Sequence, residues 1–177
     1  MADLLFTPYA DRLLLCLCAQ MELLPEAQRP ARCCFRFDGD MPTMGISTSE
    51  DECKCGSAWV RVADWFITSD DTFPGPDEAP EEHSCPRAWG LVLEMGVGRC
   101  PPTGDEHTLP TCDEYNAFFR IMMDDAAAFR KAIACCFGAV DPLEKFVIGQ
   151  PQRVGPSGKC IQQTLSLTVM VVACNEC

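Results

Sequence analysis

The chain has 177 residues, 47 % of them hydrophobic and 23 % charged, with 14 Lys and Arg against 26 Asp and Glu for a net charge of −12. That length suits one sizeable core and that composition excludes wholesale disorder, while so acidic a balance opposes wrapping nucleic-acid phosphates. Asp11, Arg12 and Glu22 interrupt the apolar N-terminal segment, so no run approaches the roughly 18 apolar residues of a membrane span; with Asp3 at its start and no small-residue cleavage site, it is not expected to be a secretory signal, and residence in a cytosol is expected.

Thr7-Pro8 has the form of an N-cap followed by proline at the first helical position, and Leu13, Leu14, Leu17, Met21 and Leu24 then recur at helical spacing, which predicts a helix over 7–24. Residues 32–38 are short, β-prone and bounded by Pro30 and Gly39, which predicts a strand; 39–55 carries the Gly, Pro, Ser and acidic content of a loop. A longer strand is predicted over 58–67, with Trp59, Arg61, Ala63 and Trp65 on one face and Val60, Val62 and Phe66 on the other. Seven acidic residues and no Lys or Arg lie between Asp64 and Pro86, and four prolines (Pro74, Pro76, Pro80, Pro86) oppose regular pairing, so 68–87 reads as a long acidic loop. A third strand at 88–98 places Trp89, Leu91, Leu93, Met95 and Val97 on one face before Cys100-Pro101-Pro102 stops it.

The clearest helix is 112–137, where Tyr115, Phe118, Phe119, Met122, Ala126, Phe129, Ile133 and Cys136 form one apolar stripe. Thr111 with Glu114 has the capping-box spacing and Gly138 supplies a stop. Residues 145–148 read as a short strand, Gly155 to Gly158 as a turn, and 164–174 as a closing strand with Leu165, Leu167, Val169, Val171 and Ala173 on its buried face. The order α-β-β-β-α-β-β predicts a single α+β domain over 1–177: an antiparallel sheet with two helices on one face.

Catalytic signals are weak. His83 and His107 sit in acidic, Pro-rich loops and read as solvated; Gly96-Val97-Gly98 lacks the third glycine and the helix start of a phosphate loop; Asp124-Asp125 reads as part of a solvated helix face beside Arg120 and Lys131. No enzyme activity, cofactor or metal is expected. The 14 cysteines leave three readings. Cys16, Cys18, Cys135 and Cys136 fit buried thiols inside apolar helices. A disulfide or thiol cluster would draw on Cys33 and Cys34 facing Cys53 and Cys55, and on Cys85 with Cys100. A small zinc-binding module would rest on Cys33, Cys34, Cys53 and Cys55, although Cys53-x-Cys55 is tight for a ligand pair.

Four strings carry a resemblance: Arg32-Cys33-Cys34; Cys53-Lys54-Cys55-Gly56-Ser57-Ala58-Trp59-Val60-Arg61-Val62; Glu94-Met95-Gly96-Val97-Gly98-Arg99-Cys100-Pro101-Pro102; and Asp124-Asp125-Ala126-Ala127-Ala128-Phe129-Arg130-Lys131-Ala132-Ile133. Over about 30–175 the chain resembles neck and tail proteins of long-tailed phages that infect actinobacteria, the tail terminators and head-to-tail connector proteins. The resemblance implies an N-terminal helix, three strands, a second helix and a closing strand. It also implies a ring, a hexamer in known relatives, that stops tube growth and offers a face to the head connector. The partners so implied are further copies of the chain, the tail tube protein and a head-proximal connector or stopper, in the virion neck assembled in the host cytoplasm, with a stopper or adaptor role as the alternative. DNA would pass through unbound, which an acidic lumen favours. The loops at 39–55 and 68–87 are then expected to reach neighbouring subunits or rings, with Asp70, Asp71, Asp77, Glu78, Glu81 and Glu82 meeting basic residues such as Arg36, Arg61, Arg87 and Arg99.

Overall fold

The computed structural model describes residues 2–38, 56–77, 88–104, 108–138, 145–157 and 160–172. Helix α1 (Ala2–Glu22) is followed by a 3-10 turn at Glu26–Gln28 and by strands β1 (Arg32–Asp38), β2 (Ser57–Thr68) and β3 (Ala88–Arg99). Helix α2 (Cys112–Phe137) leads to β4 (Phe146–Ile148), β5 (Gln152–Ser157) and β6 (Cys160–Val172). The fold is α+β, with the expected element order and one strand more. Helix α1 starts at Ala2 rather than Thr7 and carries Pro8 within it. Its buried positions Phe6, Ala10, Leu13, Leu17 and Met21 recur every three or four residues, a stripe that begins ahead of the proline.

The six strands form one sheet in the order β1-β2-β3-β6-β4, and β5 pairs with β6. Because β3 runs along the whole of β6, β4 and β5 share the opposite edge of β6, one pairing around Thr168 and the other around Gln163. The expectation of an antiparallel sheet is corrected at one edge: β1 and β2 run parallel. Parallel neighbours need a crossover of a dozen or more residues, and the long 39–56 connection has that length. The additional strand β5 overlaps the segment expected to turn. Its pairing with β6 shifts between Val154 and Ser157, where Gly155 takes a φ of 121°, so a turn-like composition lies inside an irregular strand.

A second correction concerns β2. The pairing with β3 shifts between Val62 and Asp64, so Ala63 is an extra residue that reverses the alternation beyond it. Before the bulge, Ala58 and Val60 face the helices while Trp59 lies over Gly96 on the other face. After it, Trp65 turns to the helix face, with its ring 6.0 Å from Phe6 and 5.3 Å from Trp89, and Phe66 covers Gly90 behind the sheet.

Both helices pack on one face. Leu13, Leu17 and Met21 of α1 and Phe129, Ile133 and Phe137 of α2 join Leu91, Leu93 and Met95 of β3 and Leu165, Leu167 and Val169 of β6 in a single core. Each fully buried side chain of this size contributes about 1.5–3 kcal/mol. Helix α1 meets α2 near the C-terminal end of α2, where the Arg12 guanidinium lies 4.1 Å from the Phe137 ring centroid and Cys16 is bonded to Cys136. The expected stripe of α2 is therefore buried only in part. Phe129, Ile133 and Cys136 are inside, Phe118 is half-buried, and Tyr115 and Phe119 are 52 % and 53 % exposed.

Candidate functional site

The acidic run begins where β2 ends. Thr68 is buried and its hydroxyl donates to the Gly75 carbonyl at 2.8 Å, while the Asp77 N–H donates to the Ile67 carbonyl at 3.0 Å, so residues 69–77 fold back as a closed turn. Asp77 accepts from Ser69 at 3.0 Å and from the Thr72 hydroxyl, which holds its carboxylate inside the turn. Asp70 accepts from the Lys145 ammonium at 2.7 Å in an exposed pair, and Asp71 is exposed. Glu78, Glu81 and Glu82 lie outside the described residues.

Two of the four arginines expected to meet those acids, Arg61 and Arg99, are paired within the chain. Arg61 donates to Glu94 at 2.5 Å across β2 and β3, on the face away from the helices. Arg99 is buried and forks onto Asp125, its Nη2 donating to Oδ1 at 2.6 Å and its Nε to Oδ2 at 2.9 Å. Asp125 is thus not on a solvated face. Burial pushes its carboxyl up, and the Arg99 hydrogen bonds and charge hold it partly down. Arg36 lies on β1, with its side chain outside the described residues, as is Arg87.

The cysteines also regroup. Cys33 is bonded to Cys18 of α1, and Cys16 is bonded to Cys136. Three of the four cysteines read as buried thiols are therefore in disulfides, because α1 lies between α2 and β1 and presents Cys16 to one and Cys18 to the other. Cys135 and Cys112 are free and exposed, and Cys100 is exposed and disulfide-bonded. Cys53, Cys55 and Cys85 lie outside the described residues, as does the side chain of Cys34. No group of three His, Cys, Asp or Glu side chains suited to a metal occurs among the described residues.

A surface that sequence reasoning missed lies where α2 projects beyond α1. Tyr115, Phe119 and Met123 follow one another at four-residue steps and are all about half exposed. Arg153 of β5 stands over Phe119, with its guanidinium 5.8 Å from the ring centroid. Between α2 and β5 lies a groove of about 440 Å³, lined by Met123, Ala126, Arg130, Pro151, Arg153 and Gln163. Gln163 is 2 % exposed and its Oε1 has no hydrogen-bond partner. The signal available in advance was Tyr115, Phe119 and Met123 at i, i+4 and i+8, but a stripe of that spacing is ordinarily core.

Fold and surface together define a small α+β protein with a half-apolar, arginine-flanked strip on α2 and β5 and, apart from it, a closed acidic turn after β2. The sequence matches no known protein family, and no curated protein is similar to it. No helix among the described residues is long and apolar enough to cross a membrane.

Proposed function

We propose that this protein is a structural component of a phage neck, most specifically the tail terminator, a ring of copies that caps the tail tube and meets the head connector. The observation that carries the reading is the exposed strip of Tyr115, Phe119, Met123 and Arg153. Aromatic residues, Met and Arg are the types enriched where proteins associate, and large apolar side chains left in a row on one helix are the ordinary mark of a surface another protein covers. The element order, with a helix, three strands, a second helix and closing strands, accords with the architecture that the resemblance implies. The net charge of −12 suits a ring through which DNA slides without adhering. No catalytic role, cofactor or specific DNA contact is part of this reading.

Electron microscopy of particles assembled without the protein tests it. Overlong, polymerised tubes are the expected result. Tails of normal length detached from heads that leak DNA would instead assign the stopper or adaptor role and overturn the terminator assignment. A zinc-binding module is the weaker reading, since Cys33, one of its four proposed ligands, is bonded to Cys18.

A further inference from the structure

We propose that the groove between α2 and β5 receives the acidic 78–82 segment of a second copy of this chain. The inference rests on the ring assembly put forward above and names the residues that join one subunit to the next.

The groove specifies the chemistry of its occupant. Arg130 and Arg153 are exposed and have no carboxylate partner among the described residues, in a chain where Arg61 and Arg99 are both neutralised internally. Two uncompensated guanidinium groups flanking one groove call for carboxylates. Met123, Ala126 and Pro151 supply an apolar wall that suits small aliphatic groups. The unpaired Gln163 Oε1, nearly all its residue out of water, needs a donor, and the backbone N–H of an extended peptide provides one. Glu78-Ala79-Pro80-Glu81-Glu82 offers that combination of acids, small apolar side chains and main-chain donors, with no Lys or Arg anywhere from Asp64 to Pro86.

Chain length requires the donor to be another copy. The segment is anchored at one end of the sheet, where Asp77 bonds to Ile67 and Thr68 pairs with Ala88. Gln163 pairs with Val97, and from Ala88 to Val97 strand β3 covers about 30 Å at roughly 3.3 Å per residue. Residues 78–87, tethered at both ends, reach about 20 Å at most. One subunit thus presents acids at one end of its sheet and arginines at the other. Such a head-to-tail contact is heterologous and generates a ring when its rotation closes.

A charge-exchange experiment on the full-length protein tests this. Two variants are made, R130E/R153E and E78K/E81K/E82K, and the association of each is followed by sedimentation velocity at low and high salt, with melting temperature as the control for folding. Wild type is expected to self-associate, more weakly as salt rises. Each variant alone should associate at least about tenfold more weakly, and an equimolar mixture of the two should recover association, because the reversed groove of one fits the reversed segment of the other. Wild type that stays monomeric, R130E/R153E that associates as wild type does, or folded variants whose mixture fails to associate would each overturn the proposal. Its failure is separable from that of the terminator reading. Overlong tails in the absence of the protein, together with no rescue by mixing, would remove this contact alone; rescue together with tails of normal length would remove the terminator role alone.

Discussion

Arg99 at the end of β3 and Asp125 in the middle of α2, 26 residues apart in sequence, form a two-pronged ion pair inside the protein, with the Asp125 side chain wholly out of water. The pair ties the helix layer to the sheet beside the groove. Neither charge is tolerable there without the other.

Arg99→Met is expected to cost about 3–5 kcal/mol, because it strands a buried carboxylate, whereas R99M/D125L should regain most of that loss. The pH dependence follows from the raised Asp125 carboxyl. The folded state binds its proton more tightly than the unfolded chain does, so this contribution is fully present below the ordinary carboxylate range and is lost as pH rises through the raised value. Urea denaturation at several pH values should therefore find the stability of wild type relative to Asp125→Asn falling as pH climbs from about 4.

The facing of α2 can be read from two aspartate substitutions. Phe129 is fully buried, so Phe129→Asp should cost several kcal/mol and abolish cooperative folding. Phe119 is half exposed, so Phe119→Asp should leave the melting temperature nearly unchanged while weakening assembly.

The Cys16–Cys136 link closes a loop of 120 residues and Cys18–Cys33 one of 15. Chain-entropy reasoning then assigns about 5 kcal/mol to the first and about 3 kcal/mol to the second. Under oxidising conditions C16S/C136S should lower the melting temperature more than C18S/C33S, and a reductant should bring wild type below both. Equal melting of the oxidised and reduced protein would contradict these linkages.

A Cβ at Gly96 would sit 2.4 Å from the Trp59 ring, which is fully buried and has nowhere to move. Gly96→Ala should destabilise by about 1–3 kcal/mol. Gly90→Ala meets the Phe66 ring at 2.2 Å, but Phe66 is only half-buried and can swing away, so its loss should be the smaller of the two in chemical denaturation.

At the start of α2 the Glu114 N–H donates to the Thr111 hydroxyl at 3.3 Å, and the Thr111 N–H donates to the Glu114 carboxylate at 2.7 Å. Thr111→Ala should cost about 1 kcal/mol. The bond from the Thr111 backbone, then that from its hydroxyl, holds the Glu114 carboxyl below its ordinary value. Its contribution is present above the ordinary Glu range and lost as pH falls through the lowered value, so the gap between wild type and Glu114→Gln should close on acidification.

That capping box was legible in the sequence because its partners lie three residues apart and its bonds form within one helical turn. The alternation of Leu91, Leu93 and Met95, and of Leu165, Leu167 and Val169, was legible for the same reason: the direction of successive side chains in a strand is a local property. The acidic run from Asp70 to Glu82 was equally plain.

What faces what was decided by the tertiary structure. The reversal that sends Trp65 to the helix face and Phe66 to the opposite one depends on β3 offering one residue fewer than β2 at Ala63, a comparison between two strands that neither contains alone. The parallel placement of β1 depends on which strand it meets after a long connection. Asp125 reads like its neighbour Asp124 until Arg99 arrives from β3, and Arg130 reads like any solvated helix residue until β5 brings Arg153 beside the same groove. Cys16 and Cys18 choose partners from α2 and β1 only because α1 lies between them. Periodicity specifies which side of an element is apolar; pairing, burial of charge and convergence of like charges on a groove are set by distances between elements far apart in the chain.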